Sequence, residues 1–100
     1  MTRVVKQWEG GGQRGLHLWC PGCNAVHSVR TDPPGWTWNG DVEKPTLSPS
    51  ILHNPGRENP SHEICHSFVR DGRIEFLNDS THALAGQTVD LPPWPYGDEQ

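Results

Sequence analysis

One hundred residues, 32% of them hydrophobic and with 11 Gly, 10 Pro and five Trp, describe one small domain with a thin core, because a chain this short buries only about 60–70% of its unfolded surface. The net charge of −4 argues against the basic face that nucleic-acid binding leaves behind. No apolar run approaches the roughly 20 residues of a membrane span and no signal-peptide h-region opens the chain, so the expectation is a soluble, cytoplasmic protein.

The first predicted element is a strand over Thr2 to Trp8 (TRVVKQW), closed by the flexible EGGGQRG turn. Leu16, Leu18 and Cys20 then alternate with His17 and Trp19, the period of a half-buried strand. Cys20-Pro21-Gly22-Cys23 turns the chain, and AVHSVRT returns as the partner strand of a metal-knuckle hairpin. TDPPG punctuates a loop. Trp36 and Trp38 follow on one side of an extended segment that Asn39-Gly40 ends in a tight turn. PTLSPSI carries two prolines, which points to extended or edge structure rather than a central strand. LHNPGRENPSHE is loop. ICHSFV and RIEFL then flank Asp71-Gly72, strong hairpin chemistry. NDSTHALAGQ predicts a short helix near residues 80–85, with Asp79 or Ser80 as its cap and Gly86 as its end. QTVDL is the last strand. The fold class is mainly β, a small α+β domain of zinc-ribbon-like hairpins with one short helix. A single zinc-stabilised domain is expected over residues 1–93, followed by a Pro-rich, partly ordered tail over 94–100.

Three cysteines cannot form a full disulfide set, and a thin core of this kind needs a staple. Two cysteines across a two-residue turn offer zinc half of a tetrahedron. A thioredoxin-like dithiol would open a helix, whereas Cys23 leads into a β-like run. Cys65 supplies the third sulfur. The fourth ligand lies among His66, His82 and His27. His66 is adjacent to Cys65 and so points to the opposite strand face, whereas His82 carries no such restriction and His27, so near Cys23, either folds back onto the ion or simply lines the pocket. With one Cys too few for an iron knuckle, zinc is the metal expected.

The segments LWCPGCNAVH, WTWNGD, PTLSPSI, CHSFVRDGRIEFL and DSTHALAGQTVDLP resemble a family of small phage and prophage proteins that often carry the label "ammonia monooxygenase". The resemblance runs from about residue 16 to residue 93. It implies a phage-associated, zinc-ribbon-like protein, acting in the host cytoplasm if phage-encoded. The label is rejected on chemistry: that oxidation is similar to methane oxidation, membrane-embedded and copper-dependent, and nothing in this chain resembles a paired-copper site. A broader group with a similar layout places a Cys and a His just before a comparable strand. That pattern falls on Cys65 and His66, which makes Cys20, Cys23, Cys65 and His66 the expected ligand set, with His82 as the alternative fourth member and His27 as a pocket residue.

Three functions are weighed. The first is a binding module, leaning away from an enzyme: a structural zinc with Trp36 and Trp38 forming a surface for a host or phage protein. The second is a zinc-dependent, hydrolase-like enzyme with an open metal position, drawing on His82, Asp79 and His27. The third is a nucleic-acid-binding zinc ribbon, disfavoured by the acidity.

Overall fold

The computed structural model describes residues 3–96. The chain forms two antiparallel sheets, as its alternating sequence requires. The first is built in chain order from β1 (Val5–Gly10), β2 (Gln13–Cys20) and β3 (Ala25–Arg30). The second runs β4 (Thr37–Trp38), β5 (Leu47–His53), β6 (Cys65–Arg70), β7 (Arg73–Phe76) and β8 (Thr88–Asp90), also in chain order. Within each sheet, every neighbour in sequence is a neighbour in space. Short turns between β-prone runs make that the natural topology.

Period-two alternation decides what each strand buries. On β2, Leu16, Leu18 and Cys20 are buried while His17 and Trp19 lie half-exposed. Their partners across β3, Val29 opposite Leu16 and His27 opposite Leu18, are buried too. On β6, Cys65, Ser67 and Val69 face inward while His66, Phe68 and Arg70 face the other side. The inner faces of both sheets meet in one core that joins Val5, Leu16, Leu18 and Val29 to Ile51, Val69, Ile74 and Phe76. Burial of each such side chain is worth about 1.5–3 kcal/mol.

The β6–β7 hairpin turns on Asp71 (φ 53°) and Gly72 (φ 78°), the two left-handed residues of a type I′ turn. β5 accommodates its prolines as their chemistry demands. Its register with β6 shifts between Leu47 and Ile51, a bulge that carries Ser48, Pro49 and Ser50. On its other side, β4 pairs only with Leu47 and Ser48. β5 is therefore second in the sheet and yet an edge strand over most of its length.

The predicted helix near 80–85 does not form. Residues 82–86 make tight turns instead, with the Ala85 N–H donating to the His82 carbonyl and the Gln87 N–H to the Leu84 carbonyl. Two anchors prevent a helix. The Gly86 N–H bonds back to Phe76 at the end of β7, and the Ser80 hydroxyl, expected as a cap, bonds to β6. The only helical element among the described residues is a 3-10 turn over Pro55–Arg57. At the expected tail, Trp94 is buried against His17, their rings stacked at 6.0 Å; residues 97–100 lie outside the described range. No helix among the described residues is long and apolar enough to cross a membrane.

Candidate functional site

Two groups of reactive side chains meet on β6, one on each face. On the inner face, Cys20 ends β2, Cys23 closes the turn that follows, His27 comes from β3, and Cys65 begins β6. Their ligand atoms all lie within 4.8 Å of one another. The Cys20 and Cys65 sulfurs are 3.7 Å apart, close to the roughly 3.8 Å edge of a tetrahedron with 2.3 Å metal–sulfur bonds. The three cysteines form no disulfide. His27 is buried and its Nε2 has no hydrogen-bond partner, an orphaned donor set that a metal ion would satisfy. The Cys23 N–H donates to the Cys20 sulfur at 3.4 Å, as in a metal knuckle.

The sulfurs titrate together. Cys20 is held well below the ordinary thiol value because Cys23 and Cys65 lie within hydrogen-bonding reach. Its contact with Cys20 pushes Cys23 up to about 12, and contacts with Cys20 and Cys23 push Cys65 upward as well. One negative charge is thus welcome in the cluster and further ones repel, which is the electrostatic demand a dication meets. This Cys3His cluster could hold a metal ion. It spans the two sheets, with three donors from the first and one from the second, so it is not the two-plus-two division of a zinc ribbon.

The expected fourth member, His66, is not in the cluster. Strand alternation turns its ring to the opposite face from Cys65, and His27, expected to line a pocket, takes the place beside the sulfurs. The alternative, His82, is buried beside the CPGC turn but outside the cluster, and its Nε2 likewise has no hydrogen-bond partner. Its ring meets the Phe76 edge at 4.5 Å, its Nδ1 accepts the Leu84 N–H, and it packs against Gly22 of the CPGC turn. A Cβ at Gly22 would stand 2.3 Å from His82 Cε1, so the glycine serves close approach here. His53 lies beside His27, with ring centres 4.9 Å apart, and burial together with the nearby His27 and His62 lowers its pKa.

On the outer face, His66 joins a second set. Its Nε2 lies 3.1 Å from Ser50 Oγ, and its Nδ1 lies 3.0 and 3.2 Å from the two Asp79 carboxylate oxygens. With the proton on Nδ1, the imidazole donates to Asp79 and can accept the Ser50 proton, the relation of a Ser-His-Asp triad. Ser50 precedes the buried Ile51 on β5, so alternation turns it to the same face as His66. Ser80 holds the base in place: the His66 N–H donates to Ser80 Oγ at 3.0 Å, and that hydroxyl donates to the His66 carbonyl at 3.2 Å. Thr81 fastens the same segment to β6, its N–H donating to the Ile64 carbonyl and its Oγ1 accepting the Ile64 N–H. These bonds put Asp79 opposite Nδ1.

Sequence reasoning singled out His66 and Asp79 in other roles and missed Ser50. Ser50, His66 and Asp79 lie 16 and 13 residues apart, and no local motif announces a set that only the fold assembles. Trp36 and Trp38, read as a binding surface, pack partly buried against the core. The Trp36 indole N–H donates to the Ser50 carbonyl at 3.3 Å, and that of Trp38 to the Asp41 carbonyl at 3.2 Å. Both line a shallow cleft with Arg14, Pro33 and Pro34.

Residues 2–77 match a family described as "bacterial ubiquitination-like system serine protease (BubE)", and the chain belongs to that family. It is also similar to a dephospho-CoA kinase of Bradyrhizobium diazoefficiens, 32% identical over 69 residues, which are 68% of this chain and 35% of the kinase. The chain thus spans about a third of that curated relative. No solved structure matches.

Proposed function

We propose that this chain, as a member of the BubE family, is a serine protease whose nucleophile is Ser50, whose general base is His66 and whose orienting carboxylate is Asp79. The observation that carries the reading is the continuous contact from Ser50 Oγ through both ring nitrogens of His66 to Asp79. Ser50 Oγ attacks the carbonyl carbon of the scissile amide while its proton passes to His66 Nε2. The tetrahedral adduct expels the amine, which leaves with the proton from Nε2, and the acyl group remains as an ester on Ser50. Water, deprotonated by the same nitrogen, attacks the ester, releases the acid and restores the serine hydroxyl. Asp79 holds the imidazole in the tautomer this requires. The family description assigns such a protease to a bacterial ubiquitination-like system, and the substrate class we propose is a protein of that system.

The cluster of Cys20, Cys23, His27 and Cys65 fits a zinc ion in a structural role. Four protein donors leave no open position for a reactive water, which sets the zinc-hydrolase reading aside. The nucleotide chemistry in the name of the Bradyrhizobium relative finds no footing either. This sequence holds no G-x-x-x-x-G-K-[ST] loop to cradle phosphates.

A fluorophosphonate probe with intact-mass detection tests the proposal. One adduct per chain, mapped to Ser50, is expected, and it should be absent in S50A and at least a hundredfold slower to form in H66A. No adduct at Ser50 in the folded wild-type protein would overturn it.

A further inference from the structure

The edge of β5 just beyond the nucleophile is open. Peptide groups alternate sides along a strand, and β5 shows which ones point outward. The Thr46 carbonyl accepts from the Asn39 N–H, the Ser48 carbonyl from the Thr37 hydroxyl, and the Ser50 carbonyl from the Trp36 indole, all on the β4 side. The next outward residue is Leu52. The other side of the pair agrees. Leu52 stands opposite His66, whose N–H goes to Ser80 and whose carbonyl accepts the Leu77 N–H, both away from β5. Leu52 and His66 are therefore a non-hydrogen-bonded pair, and the Leu52 N–H and C=O face outward. β4 covers only Leu47 and Ser48. Leu52 is itself 48% exposed, and its side chain lies on the face that carries Ser50 and His66.

We infer that the N–H and C=O of Leu52 dock the main chain of an extended polypeptide substrate as an added strand. The inference rests on the protease reading above. An unpaired strand edge is a template for β-augmentation, in which main-chain bonds supply affinity with little regard to sequence. Two residues of strand, about 7 Å, separate Leu52 from Ser50. The Trp36 indole already occupies the outward carbonyl of Ser50. An incoming chain that pairs with Leu52 therefore finds no partner at the Ser50 carbonyl, and the face beside that point is the one that carries Ser50 Oγ and His66. The substrate class is then a flexible, extended segment, such as a tail or a linker between folded domains, and not a bond inside a folded sheet or helix.

Two measurements test this. A library of acetylated octapeptides, with cleavage read by mass spectrometry, supplies the octapeptide that the wild-type protein cleaves fastest. In S50A, which cannot turn that peptide over, saturating peptide should slow hydrogen exchange at the Leu52 amide at least tenfold; unchanged exchange overturns the inference. In L52P, which deletes the outward N–H at an edge position that tolerates proline, the ratio of peptide cleavage to fluorophosphonate labelling should fall at least tenfold. A ratio equal to that of the wild type overturns the inference. A wild-type protein that labels at Ser50 but cleaves none of the library also overturns it, and leaves the triad standing. Absence of Ser50 labelling removes the protease reading and this inference with it.

Discussion

Replacing Asp79 by Asn tests whether the carboxylate acts through its charge. The substitution preserves size, but an amide can present its NH2 to His66 Nδ1 and so favour the tautomer that cannot accept the Ser50 proton. In a deeply buried triad the corresponding loss is about 10^4 in kcat. Here the Asp79 side chain is 62% exposed and that of His66 24%, so water competes for both partners and salt screens them. A charge-assisted hydrogen bond contributes about 1.5–3 kcal/mol. Screening at this exposure leaves the lower part of that range, about 1.5–2 kcal/mol, which corresponds to about 10–30-fold in rate. The assay is the rate of fluorophosphonate adduct formation at Ser50, followed by intact mass, beside kcat on a cleaved peptide. D79N should lose about 10–30-fold in both, whereas S50A should form no adduct. A D79N protein within twofold of the wild type would remove Asp79 from the relay. A loss above a thousandfold would mean that bound substrate seals the pair from water, and the argument from exposure would fail.

H27A should lose its metal while H66A keeps a full equivalent, measured by metal analysis of the purified variants; the reverse pattern would restore His66 as the ligand. A strong chelator should lower the melting temperature by at least about 15 °C, or about 3 kcal/mol for a domain of this size, because the cluster ties one sheet to the other; an unchanged melt would refute the inter-sheet clip. G22A should destabilise by about 1–3 kcal/mol through overpacking against the His82 ring, read as a fall in the thermal midpoint. Combining G22A with H82A, which removes the clashing ring, should cost less than the sum of the two single changes; simple additivity would mean the contact is not the cause.

The strands were largely legible because alternation writes burial directly into the sequence. Leu16, Leu18 and Cys20 on β2, and the Asp71-Gly72 turn, needed no knowledge of distant partners. The CPGC half of the cluster was legible for the same reason, since its chemistry is local. The fourth donor was not. Choosing among His27, His66 and His82 depends on which faces of two separate sheets meet, and adjacency to Cys65 misled because neighbours on a strand point apart. The helix near 80–85 failed similarly: local propensity favoured it, while bonds from Ser80 and Gly86 to β6 and β7 outcompeted it. The triad is the extreme case. Ser50 sits between a proline and an isoleucine with nothing nearby to mark it, and its role exists only once β5 lies beside β6.

The contiguity of Cys65 and His66 puts a donor of the candidate metal cluster and the proposed general base into a single reading frame. A one-residue slip of β6, by insertion or deletion upstream in the strand, would carry a histidine into the core and a thiol to the surface. The Cys3His cluster and the Ser50–His66–Asp79 contact would be lost in the same event. If the inner cluster holds a metal as proposed, removing it should loosen the start of β6 and with it the His66 ring on the outer face, so a chelator should also slow labelling at Ser50. The strand acts as a two-sided key: its pitch, more than either side chain alone, is what variation in this protein has to respect.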